Sequence, residues 1–164
     1  MSHHPSADQI VDLYDRHASI WNKLRANHFI DSKWIERFAS LLTQSANVLD
    51  LGCGSGQPVA RYLIETGASV VGVDSSKQMI ALCSGQFPAQ EWIHADMRTL
   101  ALNRQFDAIG EALGIFQGET LYHASLDPRE YAAQLHDHGF ELLEHVVEDA
   151  DCGGHTVWLG RRLP

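Results

Sequence analysis

The sequence predicts an α/β protein with a doubly wound, mostly parallel sheet, helices on both faces and an antiparallel strand at its C-terminal end. Three observations lead to this prediction. Short apolar segments alternate with helical patterns, three of these segments end in aspartate, and a run of glycines follows the first. Strands that alternate with helices favour a parallel sheet. The carboxyl ends of its strands form the edge where open α/β sheets bind ligands.

Two helices are predicted before the first strand. Apolar residues recur at helical spacing over residues 8–22 and again over 31–43. Asp31 and Ser32 stand directly before the second pattern, where their side-chain oxygens suit N-caps. The N-terminal segment, residues 1–45, is therefore expected to be helical.

The next segments alternate between strands and helices. Val48–Leu51 is short, apolar and bounded by turn residues, which is typical of a buried parallel strand. Pro58–Thr66 predicts a helix that stops at Gly67. Ser69–Val73 predicts the second strand, which ends at Asp74.

A third and a fourth strand are predicted at Glu91–His94 and Phe106–Ile109. The helix between the second and third strands has two candidate N-caps, Ser75 and Ser76, and it carries Met79 on its apolar side. With this helix, the strand–helix alternation extends over residues 46–110.

The C-terminal part, residues 111–164, differs from the rest. Asp127 as N-cap and Pro128 at the first position begin a helix that runs to about residue 138. Phe140–Glu148 and Thr156–Arg161 then predict a closing antiparallel strand pair.

Composition limits the classes of function. The length of 164 residues predicts one domain over 1–164. The formal net charge of −9 argues against a nucleic-acid partner. No apolar run approaches the roughly 20 residues that span a bilayer, so we expect no membrane partner. Three cysteines suggest free thiols and a cytoplasmic location. The ten histidines are scattered, and Cys152 and His155 lack a matching second pair, so no metal site is expected.

The glycine run points to a nucleotide-like cofactor. Asp50 ends the first strand, and glycines follow at alternate positions, where a ligand can approach the backbone closely. A dinucleotide site needs G-x-G-x-x-G. That pattern fails from Gly52, where Gln57 takes the third glycine's place, and from Gly54, where Val59 does. The spacing suits a cofactor without a pyrophosphate.

At this point the chain resembles the class I S-adenosylmethionine-dependent methyltransferases, small bacterial members in particular. The motifs that carry the resemblance are Asp50–Pro58, Val70–Ser76, His94–Met97 and Phe106–Ile109, with the tail segments Leu121–Leu126 and Asp149–Trp158. The resemblance implies a Rossmann-like fold, S-adenosylmethionine as cofactor and methyl transfer to a small-molecule acceptor that the sequence does not identify.

The family resemblance assigns roles to the strand-end acids. Asp50 would orient the amino group of the cofactor, Asp74 would accept hydrogen bonds from the ribose hydroxyls, and Asp96 would accept one from the adenine amino group. The complete set of residues that the resemblance assigns to cofactor binding is Tyr14, Trp21, Asp50, Gly52, Gly54, Gly56, Asp74, Ser75, Met79, Asp96 and Met97. Met79 would pack on the adenine, and Tyr14 and Trp21 would cover the site.

Catalysis is less well defined. Methyl transfer gains much from holding donor and acceptor in line, and a general base, for which His123 is a candidate, is needed only if the acceptor loses a proton. Two alternatives stay open: a protein of the same fold that binds S-adenosylmethionine without catalysis, and an NAD-binding oxidoreductase.

One strand–helix unit of the usual family fold is missing after Ile109, including the fifth strand and a loop that often contacts the acceptor. We therefore expect strand 156–161 to pair with strand 106–109. The alternative is an open sheet edge that a second copy covers in a homodimer.

Overall fold

The computed structural model describes residues 6–27, 29, 32–97, 99–111 and 127–163. The elements are α1 (Ser6–Asn27), α2 (Ser32–Ala39), β1 (Asn47–Leu51), α3 (Val59–Glu65), β2 (Ser69–Asp74), α4 (Lys77–Gln86), β3 (Glu91–His94), β4 (Ala108–Glu111), α5 (Pro128–Asp137), β5 (Phe140–Asp149) and β6 (His155–Arg162). They divide into two compact units. One contains α1, most of α2 and the elements from β1 to β4; the other contains α5, β5 and β6 with residues 32–34.

The first unit is built on a four-stranded parallel sheet with the order β3-β2-β1-β4. The register pairs Asp50 of β1 with Gly72 of β2, and Asp74 of β2 with His94 of β3. The carboxyl ends of these strands therefore lie along one edge. The sequence prediction of a mostly parallel α/β sheet is confirmed.

Alternate residues of β1 and β2 face opposite sides of the sheet. Val48 and Val70 join a core cluster with Leu63 of α3, and side chains of α2 pack against it. Leu49 and Val71 belong to a second cluster. Both faces of these central strands are thus apolar, as the near-continuous apolar runs predict.

Local signals fix two helix starts. The side chain of Ser76 accepts a hydrogen bond from the Met79 amide and caps α4. Asp127 and Glu130 form a reciprocal capping box at the start of α5, directly before Pro128. Of the two serines offered by the sequence, Ser76 is therefore the N-cap. β4 begins two residues later than predicted, at Ala108.

The second unit contains the predicted antiparallel pair. β5 and β6 pair from Phe140 opposite Arg162 to Asp149 opposite His155. The prediction that strand 156–161 pairs with strand 106–109 is wrong, because within the described ranges β6 pairs with β5 alone. A short turn joins β5 to β6, so their pairing closes a small loop at low entropic cost.

Some predictions remain open after the fold. The two compact units do not decide whether residues 1–164 form one domain, which stays a prediction. What residues 112–126 contribute after β4, in place of the missing unit, lies outside the described residues. No helix in the described part of the chain is both long enough and apolar enough to cross a membrane.

Candidate functional site

The glycine run forms a tight loop at the carboxyl end of β1. Gly52, Gly54 and Gly56 have φ angles of 70°, 53° and 77°, in the left-handed region that side-chain-bearing residues rarely adopt. The amides of Gly52 and Cys53 both donate to the Val73 carbonyl, at 2.8 and 3.1 Å. The loop therefore folds back on β2, with three backbone positions that favour glycine.

Two side chains of α4 donate hydrogen bonds to backbone carbonyls of this loop. Cys83 Sγ donates to the Gly54 carbonyl at 3.1 Å, and Gln86 Nε2 donates to the Ser55 carbonyl at 3.1 Å. A hydrogen bond with Cys83, followed by burial, raises the pKa of the Cys53 thiol. Both cysteines are buried and free. The thiol of Cys53 is therefore protonated, which disfavours a role for it as a nucleophile.

Asp50 is the most unusual residue of the site. It is 2% exposed, and within the part of the chain that the structure describes no group donates to its Oδ2 atom. Its neighbours in the sheet register are Gly72 and Gly110, which have no side chains. Burial, and next the charge of Asp74, raise the pKa of Asp50 to about 7. A buried carboxylate oxygen without a donor is costly, so Asp50 Oδ2 fits a ligand that brings one.

The carboxylate of Asp74 already accepts two hydrogen bonds from backbone amides of the protein. Its Oδ2 accepts from the Gly54 amide and its Oδ1 from the Ser76 amide, both at 2.8 Å. Burial raises the pKa of Asp74, and these two hydrogen bonds oppose that shift. Each carboxylate oxygen has a further lone pair, so Asp74 retains acceptor capacity beside the loop. Ser75 follows it and is half-buried, and its carbonyl lies 3.0 Å from His94 Nε2.

The loop after β3 reaches the glycine loop. Met97 is 40% exposed, and its Cε lies 3.4 Å from the position where a Cβ of Gly52 would stand. Asp96 is half-buried, and its carbonyl accepts from the Thr99 amide at 3.1 Å. The structure therefore brings the third predicted strand end close to the first.

Two aromatic side chains of α1 cover the loop from the other side. Trp21 Nε1 lies 3.8 Å from the position of a Cβ on Gly54. The rings of Tyr14 and Trp21 meet edge to face with centroids 5.5 Å apart. Burial, and next the charge of Asp74, raise the pKa of Tyr14, which places the phenol within electrostatic range of that carboxylate.

Two predicted site residues remain, Met79 and His123. Met79 lies in the first turn of α4 and is 1% exposed. His123 lies outside the described residues. No group of three or more His, Cys, Asp or Glu side chains in the described ranges is arranged to hold a metal ion.

Sequence reasoning missed three residues that shape the site: Asp15, Cys83 and Gln86. The last two lie three positions apart on α4 and, with Met79, follow a helical spacing that marks one face of the helix. That spacing could have identified them. Asp15 reaches α4 from a helix 61 residues away in the chain, and nothing local indicates this contact.

The family model described as a methyltransferase domain matches residues 48–136, more than half of the chain. This chain belongs to that family. The matched range begins in β1 and includes the glycine loop and the ends of β2 and β3.

The chain is similar to several individual methyltransferases. Trans-aconitate 2-methyltransferase of Azoarcus sp. (strain BH72) is 43% identical over 70 residues, which cover 42% of this chain and 27% of that protein. The TehB-like SAM-dependent methyltransferase of Corynebacterium glutamicum ATCC 13032 Kitasato matches with a TM-score of 0.68 at 20% identity, over 93% of this chain and 99% of that chain.

Magnesium protoporphyrin IX methyltransferase (ChlM) of Synechocystis PCC 6803, in a structure with bound SAM, matches with a TM-score of 0.73 at 13% identity. That match covers 99% of this chain and 100% of the other. At these identities the solved structures show a shared methyltransferase fold, Rossmann-like as predicted. The chain spans less than half the length of the curated relatives that it matches.

Proposed function

We propose that this protein is an S-adenosylmethionine-dependent methyltransferase that acts on a small-molecule acceptor, with the cofactor across the carboxyl ends of β1, β2 and β3. The observation that carries the proposal is the buried, donor-free oxygen of Asp50 beside a three-glycine loop. Membership of the methyltransferase family supports it, as does the SAM bound to the fold neighbour ChlM.

The methionine part of the cofactor fits the space over the glycine loop. Its ammonium group supplies the donor that Asp50 Oδ2 lacks, and charge-assisted hydrogen bonds of this kind are among the strongest in proteins. Gly52 and Gly54 add no side chain of their own to this space, which Met97 Cε and Trp21 Nε1 border.

The ribose fits beside Asp74. Two backbone amides already fix the orientation of this carboxylate, and its remaining lone pairs suit two vicinal hydroxyl groups. Ser75 borders the same position. The protein thus orients the acceptor atoms before the ligand arrives, which lowers the entropic cost of binding.

The adenine fits between the loop after β3 and the aromatic residues of α1. In this proposal Asp96 accepts from the exocyclic amine, and Met97 contacts the ring. Trp21 and Tyr14 cover the site and keep water from it. Met79 forms the floor beneath the ring, in keeping with its complete burial.

When bound, the cofactor supplies a methyl group on a cationic sulfur, which is transferred by in-line displacement. The contribution of the protein is to hold donor and acceptor in line and to exclude water. His123 stays a candidate general base for acceptors that must lose a proton.

The proposal extends to the class of acceptor, the cellular location and the oligomeric state of the protein. A net charge of −9 favours a small molecule over nucleic acid as acceptor. Cys53 and Cys83 are free thiols, which supports a reducing, cytoplasmic location. β4 is an edge strand of the described parallel sheet, so a homodimer through that edge stays a prediction, which sedimentation analysis would test.

The proposed function is tested first by binding. Calorimetry should show that the unmodified chain binds S-adenosylmethionine and S-adenosylhomocysteine, and NAD should give no thermal shift. A tritiated-methyl screen of small acceptors then separates an enzyme from a protein that only binds the cofactor. A clear shift with NAD and none with S-adenosylmethionine would contradict the proposal.

The variant Asp74→Asn should weaken S-adenosylmethionine binding by about tenfold or more, because the ribose loses a charged acceptor. Asp107→Asn is the matched control. Asp107 also accepts a backbone amide, that of Asn47 at 2.7 Å, but it lies at the opposite end of β1. Equal affinities for Asp74→Asn and the unmodified chain would exclude the ribose contact.

A further inference from the structure

Asp15 of α1 contacts the N-terminal end of α4 through its side chain. Its Oδ1 accepts from the Ser76 hydroxyl at 2.5 Å and from the Gln78 amide at 3.1 Å. The Ser76 hydroxyl oxygen in turn accepts from the Met79 amide at 3.2 Å. Two free amides at the start of α4 are thus satisfied by side chains, one of which comes from another helix.

This contact continues into the cofactor site. The Ser76 amide donates to Asp74, and Asp74 also accepts from the Gly54 amide. One chain of hydrogen bonds therefore leads from α1 through the cap of α4 to the glycine loop. The hydrogen bond from Ser76 lowers the pKa of Asp15, so its carboxylate is charged at neutral pH.

The position of Asp15 on α1 connects this chain to the covering aromatic residues. Tyr14 is its immediate neighbour, and Trp21 lies two turns further along the same helix. Trp21 stands over Gly54, and the two aromatic rings pack edge to face. The segment that Asp15 fixes to α4 is therefore the segment that covers the glycine loop.

We propose that Asp15 is a positioning residue that holds α1 over the cofactor cleft, so that its hydrogen bonds to Ser76 and Gln78 set the rate at which the cofactor leaves. The inference rests on the proposed function, since it needs a cofactor under α1. Hydrogen bonds to an ionised acceptor are roughly twice as strong as neutral ones, which suits a contact that keeps a helix in place.

The first test measures dissociation of S-adenosylhomocysteine from the full chain by stopped-flow displacement. Asp15→Ala should raise the dissociation rate by about tenfold and leave the association rate within about twofold. Asp12→Ala is the matched control, because Asp12 is an exposed acid on the same helix. It removes the same charge from an exposed position of α1, and it should dissociate at the unmodified rate.

Asp15→Asn gives a graded variant that keeps an oxygen acceptor without the charge. Its dissociation rate should rise by about threefold, because a neutral acceptor is weaker. This variant also carries the test if Asp15→Ala does not fold. A dissociation rate of Asp15→Asn equal to that of the unmodified chain would overturn the positioning role.

A double-mutant cycle separates positioning from simple helix capping. If Asp15 acts through the aromatic cover, Trp21→Ala already removes much of the effect, and adding Asp15→Ala should raise the dissociation rate by less than the product of the single effects. If Asp15 only caps α4, the two effects should multiply, and that result would overturn the proposal.

The outcomes of these experiments distinguish the positioning role of Asp15 from the proposed function on which it rests. Failure of the unmodified chain to bind either ligand would overturn the proposed function and this role with it. Normal binding by the unmodified chain, together with an unchanged dissociation rate for both Asp15 variants, would overturn the positioning role alone.

Discussion

Asp50 and Asp149 are both buried aspartates at strand ends, yet their surroundings are opposite. Asp50 is 2% exposed, and no described group donates to its Oδ2. Asp149 is 8% exposed and accepts from Trp34 Nε1 at 2.7 Å, the Asp151 amide at 2.9 Å and Lys33 Nζ at 3.5 Å. The oxygens of Asp149 are satisfied by protein donors, whereas Asp50 Oδ2 keeps its acceptor capacity for a ligand.

The pKa values of the two residues shift in opposite directions, and the causes differ. Burial raises the pKa of Asp50 to about 7. The hydrogen bond from the Asp151 amide, followed by that from Trp34, lowers the pKa of Asp149. Burial alone therefore does not mark a functional acid. What distinguishes Asp50 is burial without a donor, at the edge where parallel sheets bind ligands.

The largest expected effect follows from removing the charge of Asp50. Asp50→Asn should weaken S-adenosylmethionine binding by about a hundredfold, because the ammonium group loses a buried ionic acceptor. Calorimetry at pH 7.5 measures this change. Asp149→Asn, which changes a buried acid that already has donors, should bind with the affinity of the unmodified chain. Equal losses in both variants would remove the distinction between the two acids.

The pH dependence of binding gives the next largest effect. Asp50 ionises as the pH rises through about 7, and only the ionised form attracts an ammonium group. Affinity for S-adenosylmethionine should therefore rise by about tenfold between pH 5.5 and 7.5, before the amino group of the ligand begins to lose its own proton near pH 8.

The control for the pH profile is Asp50→Asn, whose profile over the same range should be flat. Asp149 does not contribute to the slope, since the lowered pKa keeps it ionised throughout this range. An Asp50→Asn profile as steep as that of the unmodified chain would assign the titration to another group.

The smallest expected effect concerns the fold alone. Asp149→Ala leaves the Trp34 indole N–H buried without its acceptor, so the thermal midpoint should fall by about 5 °C. Scanning calorimetry measures the change. Asp151→Ala is the control, because it removes only an exposed ion pair with Lys33 and should change the midpoint by about 1 °C or less. Equal shifts would show that the buried acceptor is not what matters.

Most of the fold could be predicted because its signals are local. The apolar run at Val48–Leu51 and the capping residues Ser76 and Asp127 are each readable within a few positions, and the structure confirms them. The antiparallel pairing of strands 140–148 and 156–161 was also predicted, from the turn-rich segment between them, and it is confirmed. The additional pairing of strand 156–161 with strand 106–109 was predicted wrongly, because pairing between strands far apart in the sequence depends on packing that no local pattern encodes.

The candidate site likewise combines features that local motifs predict with one contact that they do not. The alternate glycines and the strand-end acids follow from a short motif, and the parallel register brings their strand ends to one edge. The contact of Asp15 with Ser76 joins residues 61 positions apart. It depends on how α1 packs against α4, and no local pattern encodes that packing.

The most direct test of the account is a crystal structure of the full chain with S-adenosylhomocysteine, grown near pH 7.5. The account predicts the amino-acid part of the ligand over the loop from Gly52 to Gly56, with its ammonium group bonded to Asp50 Oδ2 directly or through one water. It also predicts the ribose hydroxyls on Asp74. A ligand bound elsewhere, or one that leaves Asp50 Oδ2 without a donor, would contradict the account.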